Sequence, residues 1–205
     1  NIVTGSTAGT GISVLNDSAQ SAACHDLIIS DNILYSNYYS GIECNTGIGA
    51  SLWHYNIKIH NNLCHHNNQG NYGGQGGIHI GHAYLVNISG NTIHHDGNGA
   101  NASYGIRIQS ACTEVLITGN QIGEEGQGGA LGVGVNLENA SHTLITGNMF
   151  YDNQATKTTA YHVNGTGSYI VIRDNFFDAA IGAKINVSGT YCIFEDNLGV
   201  NPVGP

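Results

Sequence analysis

Charged residues and proline are scarce in this chain of 205 residues. Only 9% of the residues are charged and two are proline, against about 25% charged residues in ordinary globular proteins. The scarcity of charge excludes a coiled coil or long-helix protein, and a hydrophobic content of 40% excludes a disordered chain. No apolar run reaches the roughly 18 residues of a membrane span. We therefore expect a single folded domain over residues 1–205 with no membrane partner.

Basic residues and paired cysteines are also lacking. Five Lys and Arg face 14 Asp and Glu, for a net charge of −9, whereas a nucleic-acid binder needs a basic surface. We expect no nucleic-acid partner. The five cysteines are an odd number without CxxC spacing, which excludes a zinc site or disulfide framework and predicts buried free thiols. They are Cys24, Cys44, Cys64, Cys112 and Cys192.

Glycine and asparagine are abundant, and both recur in an internal repeat. A β-branched run ends at an anchor asparagine, as in DLIISDN to Asn32 and EVLITGN to Asn120. The anchors, from 22 to 31 residues apart, are Asn1, Asn32, Asn62, Asn91, Asn120, Asn148, Asn175 and Asn197. Each repeat also contains a Gly-apolar-x-apolar phrase, such as Gly77 to Ile80, and a short apolar pair after the anchor. These phrases alternate with period 2, which indicates strands.

Three short strands per repeat, with no helical periodicity, predict an all-β parallel β-helix of about seven turns of 22–31 residues. Stacked turns place Leu27, Ile57 and Val86 in one inward row and Ile29, Ile59 and Ile88 in another. The anchor lies at a sharp bend, where asparagine tolerates the left-handed conformation. We therefore expect the anchors Asn32, Asn62, Asn91, Asn120, Asn148, Asn175 and Asn197 to form a hydrogen-bonded ladder.

The asparagine anchors and the GIxI strands together resemble the right-handed parallel β-helices of the pectate-lyase-like superfamily. Bacteriophage tailspikes and secreted polysaccharide depolymerases are similar in style. The resemblance implies right-handed coiling, a polysaccharide partner bound on the GIxI strands, and an extracellular or virion-surface location. The sequence lacks the family's Asp cluster and its NTD, DD, GHG and RIK motifs, so no catalytic residue is transferred from it.

The ends of the chain suggest a fragment of a longer protein. The chain starts on an anchor asparagine and ends in the Pro/Gly-rich segment NPVGP. Open β-helix ends expose unpaired strands, so we expect flanking segments or neighbouring copies to cover them. A homo-oligomer, either a trimer or a filament, is the expected assembly.

The outward row of the GIxI strands is the first candidate site. Glu43, His79 and Arg107 lie on consecutive turns and combine a carboxylate, an imidazole and a guanidinium, which suits acid–base work on a sugar. Long glycine-rich loops bring tyrosines beside this row. The expected substrate-binding residues are Tyr72, Tyr104, Gln109, Glu138, His162 and Lys184. The alternative interpretation is a stabilising charge ladder on a solvated face.

A second candidate site lies just after the third strand. Asp96 and Glu125 are both five residues past an anchor, and stacked carboxylates would suit a glycosidase. Histidines crowd the same edge, so a divalent metal could bind near His66, His95 and Glu124; otherwise no cofactor is expected. The alternative here is a polar turn rim.

Two functions remain open from the sequence. One is a polysaccharide-recognising module that cleaves glycosidic bonds as a lyase or hydrolase, and the other is a non-catalytic structural fibre or adhesin. Six glycosylation sequons would carry glycans in an extracellular protein. They begin at Asn16, Asn87, Asn101, Asn139, Asn164 and Asn186.

Overall fold

A computed structural model describes residues 1–16, 23–46, 52–94, 96–97, 101–123, 132–152, 159–178 and 185–199. Their regular elements are all β-strands. The strands are β1 Ile2–Thr4, β2 Ile12–Asn16, β3 His25–Ser30, β4 Ile33–Tyr35, β5 Ile42–Thr46, β6 His54–His60, β7 Leu63–His65, β8 Gly76–Ile80, β9 Ala83–Ser89, β10 Thr92–His94, β11 Ser103–Ile108, β12 Thr113–Thr118, β13 Gln121–Gly123, β14 Gly132–Thr146, β15 Met149–Tyr151, β16 Thr159–Arg173, β17 Phe176–Phe177, β18 Ile185–Thr190 and β19 Ile193–Glu195. No helix that could cross a bilayer occurs in this part of the chain.

The strands coil into a parallel solenoid, as the repeat predicts. The short strands that follow the anchors form a seven-stranded sheet in the order β1-β4-β7-β10-β13-β15-β17. The other strands form a larger sheet with two faces. The GIxI face consists of β2, β5, β8, β11, β18 and the first halves of β14 and β16; the anchor face consists of β3, β6, β9, β12, β19 and the second halves of β14 and β16.

The two faces become continuous from Gly132 onward. Up to β13 each turn has three separate strands, whereas β14 and β16 each run for 15 residues through both faces. Pairing between β14 and β16 is parallel, with irregularities at Gly132/Val133 and Glu138/Ala140. The irregularity at Glu138/Ala140 lies where the two faces meet, whereas the one at Gly132/Val133 lies at the start of β14.

The core consists of the inward rows that the repeat predicts. Leu27, Ile57 and Val86 are in register on the anchor face, as are Ile29, Ile59 and Ile88. Nearly all members of these rows are buried, which removes continuous apolar stacks from water. All five cysteines are free thiols, and Cys44, Cys64 and Cys112 are buried, as predicted.

The anchor asparagines form the predicted ladder. The Nδ2 atom of each anchor donates to Oδ1 of the next at 2.9–3.0 Å, from Asn1 through to Asn197. Asn62, Asn91 and Asn120 are at most 2% exposed. The residue before most anchors has a positive φ, such as 56° at Asn61 and 64° at Gly90, and this left-handed residue makes the sharp bend.

One position in each turn of the GIxI face points into the core, and Gly134 occupies it in β14. A Cβ atom on Gly134 would lie 2.9 Å from Phe150 Cδ1, so a side chain at this position points inward. His162 is in register with Gly134 and is only 1% exposed. Its ring packs 5.5 Å from that of Phe150 and 5.3 Å from that of Phe177. The expected place of His162 on the outward, substrate-binding row is therefore wrong, because the chain turns inward here.

Candidate functional site

The outward row of the GIxI face is set by strand register. Glu43 aligns with His79, His79 with Arg107, and Arg107 with Asn136, as expected. The row then continues through Asn164 and Asn186, rather than through His162 and Lys184. Lys184 lies outside the described residues.

Glu43 is held from two sides. Thr10 Oγ1 donates to Glu43 Oε2 at 3.1 Å, and His79 Nδ1 lies 3.4 Å from Oε1. The His79 ring lowers the pKa of Glu43, burial raises it less strongly, and Thr10 and Asn45 lower it further. Glu43 is therefore an ionised carboxylate at neutral pH, with 16% of its side chain exposed.

His79 lies beneath this row and not on its surface. Only 3% of the side chain is exposed, and Nε2 has no hydrogen-bond partner among the described residues. A polymer on the outside of the sheet cannot reach a ring nitrogen that is closed off from water. His79 can thus act on a ligand only through Glu43, as a positioning residue.

Each of the three nitrogens of the Arg107 guanidinium donates a hydrogen bond. The group makes a bidentate pair with Glu138, at 2.9 Å from Nε to Oε1 and 3.1 Å from Nη2 to Oε2. Nη1 donates to the Gly74 carbonyl at 3.0 Å, and the group lies 5.8 Å from the centre of the Tyr104 ring. Bidentate pairing of this kind is strong and directional. The charge of Arg107 is therefore neutralised by Glu138.

Amide side chains cover the rest of the outer face. Asn164 Nδ2 donates to Asn136 Oδ1 at 2.9 Å, and Asn186 Nδ2 donates to Asn164 Oδ1 at 2.8 Å. Asn164 and Asn186 of this outer ladder are also the asparagines of two of the sequons. Gln109 lies in the neighbouring outward row, where a Cβ on Gly81 would meet the Gln109 amide at 2.5 Å, so Gly81 leaves the space that this amide fills.

The two expected sugar-facing tyrosines have different surroundings. Tyr104 is half-buried under Arg107, and burial raises its pKa while Arg107 opposes that effect. Tyr72 is 46% exposed and packs against Tyr38 and Tyr39. The sequence repeat does not predict that these three tyrosines are in contact, because Tyr72 reaches the preceding turn through a loop and not through a strand.

Asp96 is inside the solenoid. It is fully buried and belongs to a second ladder. In this ladder Asn37 Nδ2 donates to Asn67 Oδ1 at 2.9 Å, and the backbone nitrogen of Asn67 donates to Asp96 Oδ1 at 2.6 Å. Burial raises the pKa of Asp96 to about 7. The expected place of Asp96 at a sugar-accessible rim is wrong, because the chain turns inward five residues after the anchor. Glu125 lies outside the described residues.

The expected metal site is only partly described. His66 Nδ1 lies 2.7 Å from His65 Nδ1, while His95 and Glu124 lie outside the described residues. Over the ranges that the structure covers, no group of three His, Cys, Asp or Glu side chains is arranged to hold a metal ion.

The fold defines a parallel β-solenoid, and comparison with known families gives its class. The family model described as "right handed beta helix region" matches residues 66–204. The chain belongs to this family, which also agrees with the expected handedness. A search of curated proteins finds no match.

A solved structure is similar over most of the chain. It is the A-module of the mannuronan C-5 epimerase AlgE4 from Azotobacter vinelandii, with a TM-score of 0.55 and 17% sequence identity. The alignment covers 94% of this chain and 48% of the epimerase chain. At this identity the similarity shows the fold, and the chain spans about half the length of the epimerase module.

Proposed function

We propose that this β-helix recognises an extracellular or virion-surface polysaccharide, which lies along the outer side of the GIxI face. The observation that carries the proposal is the row of polar side chains from Glu43 to Asn186, one per turn, of which Glu43, Arg107, Asn164 and Asn186 are not buried. Turns stack at the strand spacing of about 4.8 Å. A polymer across the strands would thus meet hydrogen-bonding groups on several of the stacked turns.

The electrostatics favour an uncharged polymer. The Arg107 guanidinium is paired with Glu138, and the other row members past it are amides. The chain carries a net charge of −9, which repels a polyanion. The similar structure is that of a mannuronan C-5 epimerase; its chemistry does not carry over, because a free cation would be needed to neutralise a uronate.

Cleavage of the polymer would depend on Glu43. It is ionised, partly exposed on the outward row, and touched by the buried ring of His79. A carboxylate in this state can accept a proton from water or from a sugar hydroxyl. A second carboxylate at glycosidase distance is not present among the described residues of this row, since Glu138 lies three turns further along.

The alternative function is a non-catalytic fibre or adhesin whose copies assemble into a trimer or filament. The bidentate Arg107–Glu138 pair favours it, because this pair stabilises stacked turns. Under this alternative the outer row would bind no glycan.

A binding screen tests the proposal. The protein is titrated with cellohexaose, β-1,4-galactohexaose and hexamannuronate, and each mixture is assayed for new reducing ends and for absorbance of unsaturated uronates. We expect salt-independent binding of a neutral oligosaccharide and weaker binding of hexamannuronate. Absence of binding to all three, with a native mass above that of the monomer, would favour the fibre or adhesin.

A further inference from the structure

We infer that Tyr38, Tyr39 and Tyr72 form a subsite for one uncharged pyranose unit of the bound polymer. The inference rests on the proposed function and gives it a specific contact. Tyr38 and Tyr39 belong to the loop between β4 and β5, and Tyr72 belongs to the loop before β8. We refer to these three side chains as the tyrosine cluster.

The rings of the tyrosine cluster meet edge to face. The ring centres lie 5.2 Å apart for Tyr38 and Tyr39, 5.7 Å for Tyr38 and Tyr72, and 4.8 Å for Tyr39 and Tyr72, with interplanar angles of 60–73°. Edge-to-face packing is a favourable arrangement of aromatic rings. Because the ring planes are steeply inclined, the cluster forms an angular surface and not a flat stack.

The backbone beneath the cluster is fixed before any ligand binds. The Asn68 amide nitrogen donates to the Tyr39 carbonyl at 2.7 Å, and that of Gly70 donates to the Tyr38 carbonyl at 2.9 Å. The buried Asn68 side chain accepts from the Tyr72 amide nitrogen and donates to the Tyr72 carbonyl, both at 2.9 Å. A preorganised site loses little conformational entropy on binding.

Gly70 supports the ring of Tyr38. A Cβ atom at Gly70 would lie 2.7–2.9 Å from three carbon atoms of that ring, whereas a Cβ atom at Gly73 would meet nothing within 4 Å. Neither glycine has a positive φ. The two positions in one loop thus differ in whether a methyl group would displace Tyr38.

The cluster adjoins the outward row. The Tyr39 amide nitrogen donates to the Gly9 carbonyl at 3.2 Å, and the adjacent Thr10 binds Glu43. On the other side, the loop that carries Tyr72 continues to Gly74, whose carbonyl accepts from Arg107. A sugar on the tyrosine cluster would therefore place the next units of its chain toward Glu43.

The chemistry of the cluster selects a neutral sugar. The three side chains offer aromatic carbon and phenol hydroxyls, and the contact with Tyr72 raises the pKa of Tyr38 and of Tyr39, so the phenols stay uncharged at physiological pH. Aromatic rings pack against the C–H faces of a pyranose ring, while the hydroxyls exchange hydrogen bonds with its rim. A uronate carboxylate would find no positive partner here.

Two pairs of variants test the subsite by titration with cellohexaose, β-1,4-galactohexaose and hexamannuronate. We expect Tyr72→Ala to weaken binding of the preferred oligosaccharide about tenfold, while Tyr191→Ala, which removes a tyrosine that is 70% exposed at the bend between β18 and β19, leaves it unchanged. Gly70→Ala should weaken binding at least fivefold, whereas Gly73→Ala should not. Thermal unfolding of all four variants identifies any that fails to fold, and the other pair then decides.

The outcomes separate the two levels of the proposal. Unchanged affinity in folded Tyr72→Ala and Gly70→Ala would overturn the subsite and leave polysaccharide recognition intact. Preferential binding of hexamannuronate through the cluster would overturn the assignment to an uncharged sugar. Absence of binding in the unmodified protein would overturn the proposed function and the subsite with it.

Discussion

Asp96 and Asn67 are joined by a hydrogen bond of 2.6 Å, from the Asn67 backbone nitrogen to Asp96 Oδ1, inside the solenoid. Asn37 and Asn67 supply amides to the same column, whereas Asp96 supplies a carboxyl group. Its Oδ2 atom has no hydrogen-bond partner among the described residues. Burying an ionised carboxylate is costly when one of its oxygens has no hydrogen-bond partner. The stability of the protein should therefore depend on pH.

Replacing Asp96 with Asn should stabilise the fold above neutral pH. Burial raises the pKa of Asp96 from 3.8 to about 7, so the folded state binds the proton more tightly than the unfolded state does. Its contribution is therefore present at low pH and is lost as pH rises from about 4 to about 7, by about 4 kcal/mol on the order-of-magnitude scale. Asp96→Asn should remove this loss.

The measurement is the free energy of unfolding at pH 4, 6 and 8. Asp96→Asn should gain a few kcal/mol over the unmodified protein at pH 8 and little at pH 4. Asp31→Asn, at an exposed position next to the anchor ladder, serves as the control and should change stability little. A variant that keeps the full pH dependence of the unmodified protein would show that Asp96 is not its source.

Removing the side-chain amide of Asn120 should destabilise the protein by roughly 1–3 kcal/mol, because buried partners lose their hydrogen bonds. Asn120 accepts from Asn91 and donates to Asn148 and to the Ile88 carbonyl. Asn101→Ala, at an exposed loop position, is the matched control. Equal melting temperatures for Asn120→Ala and Asn101→Ala would count against a stabilising ladder.

Freeing Arg107 from Glu138 should change which sugar is preferred. Glu138→Gln leaves the guanidinium without its bidentate carboxylate, so hexamannuronate should bind about five- to tenfold more tightly, with an affinity that falls as salt is added. Glu195→Gln removes an equal charge on another face and should have little effect. The prediction fails if both variants bind hexamannuronate alike.

If the protein cleaves its polysaccharide, replacing Glu43 with Gln should lower turnover about 10²-fold or more and leave oligosaccharide binding nearly unchanged. The His79 ring lowers the pKa of Glu43 below its ordinary value of 4.5. Glu43 therefore stays ionised, and cleavage persists, until the pH falls to this lowered pKa. His79→Ala should then move the acid limb of the pH–rate profile upward. Glu114→Gln, on the anchor face, is the control, and full activity of Glu43→Gln would remove Glu43 from the mechanism.

The sequence predicts the strands, their stacking and the asparagine ladder, because a repeated phrase must bury the same positions in each turn. Register is less certain where the phrase decays. The pattern aligns Ala160 to Val163 with Gly134 to Leu137, which places His162 opposite Asn136 on the outward row, whereas the structure pairs Val163 with Val135. A shift of two residues leaves the apolar and polar alternation of the sequence unchanged, so the pattern does not detect it. The shift sets His162 opposite Gly134, where a side chain points into the core.

The candidate site was predictable only where it lies on strands. Glu43, His79 and Arg107 stack because register dictates it. The burial of His79 and the pairing of Arg107 with Glu138 depend on side-chain geometry, which a sequence pattern does not predict. The inward place of Asp96 did leave a signal, since Asn37 and Asn67 occupy the same offset from their anchors.

The asparagine ladder has a direction. Each side-chain amide points its N–H group toward the following turn and its carbonyl toward the preceding one, so the dipoles align head to tail and reinforce one another. A further turn that continues this alignment, whether from the same chain or from another, finds a complementary group. A turn presented in the opposite sense would set carbonyl against carbonyl. The direction of the ladder thus favours head-to-tail addition of a turn and disfavours head-to-head contact.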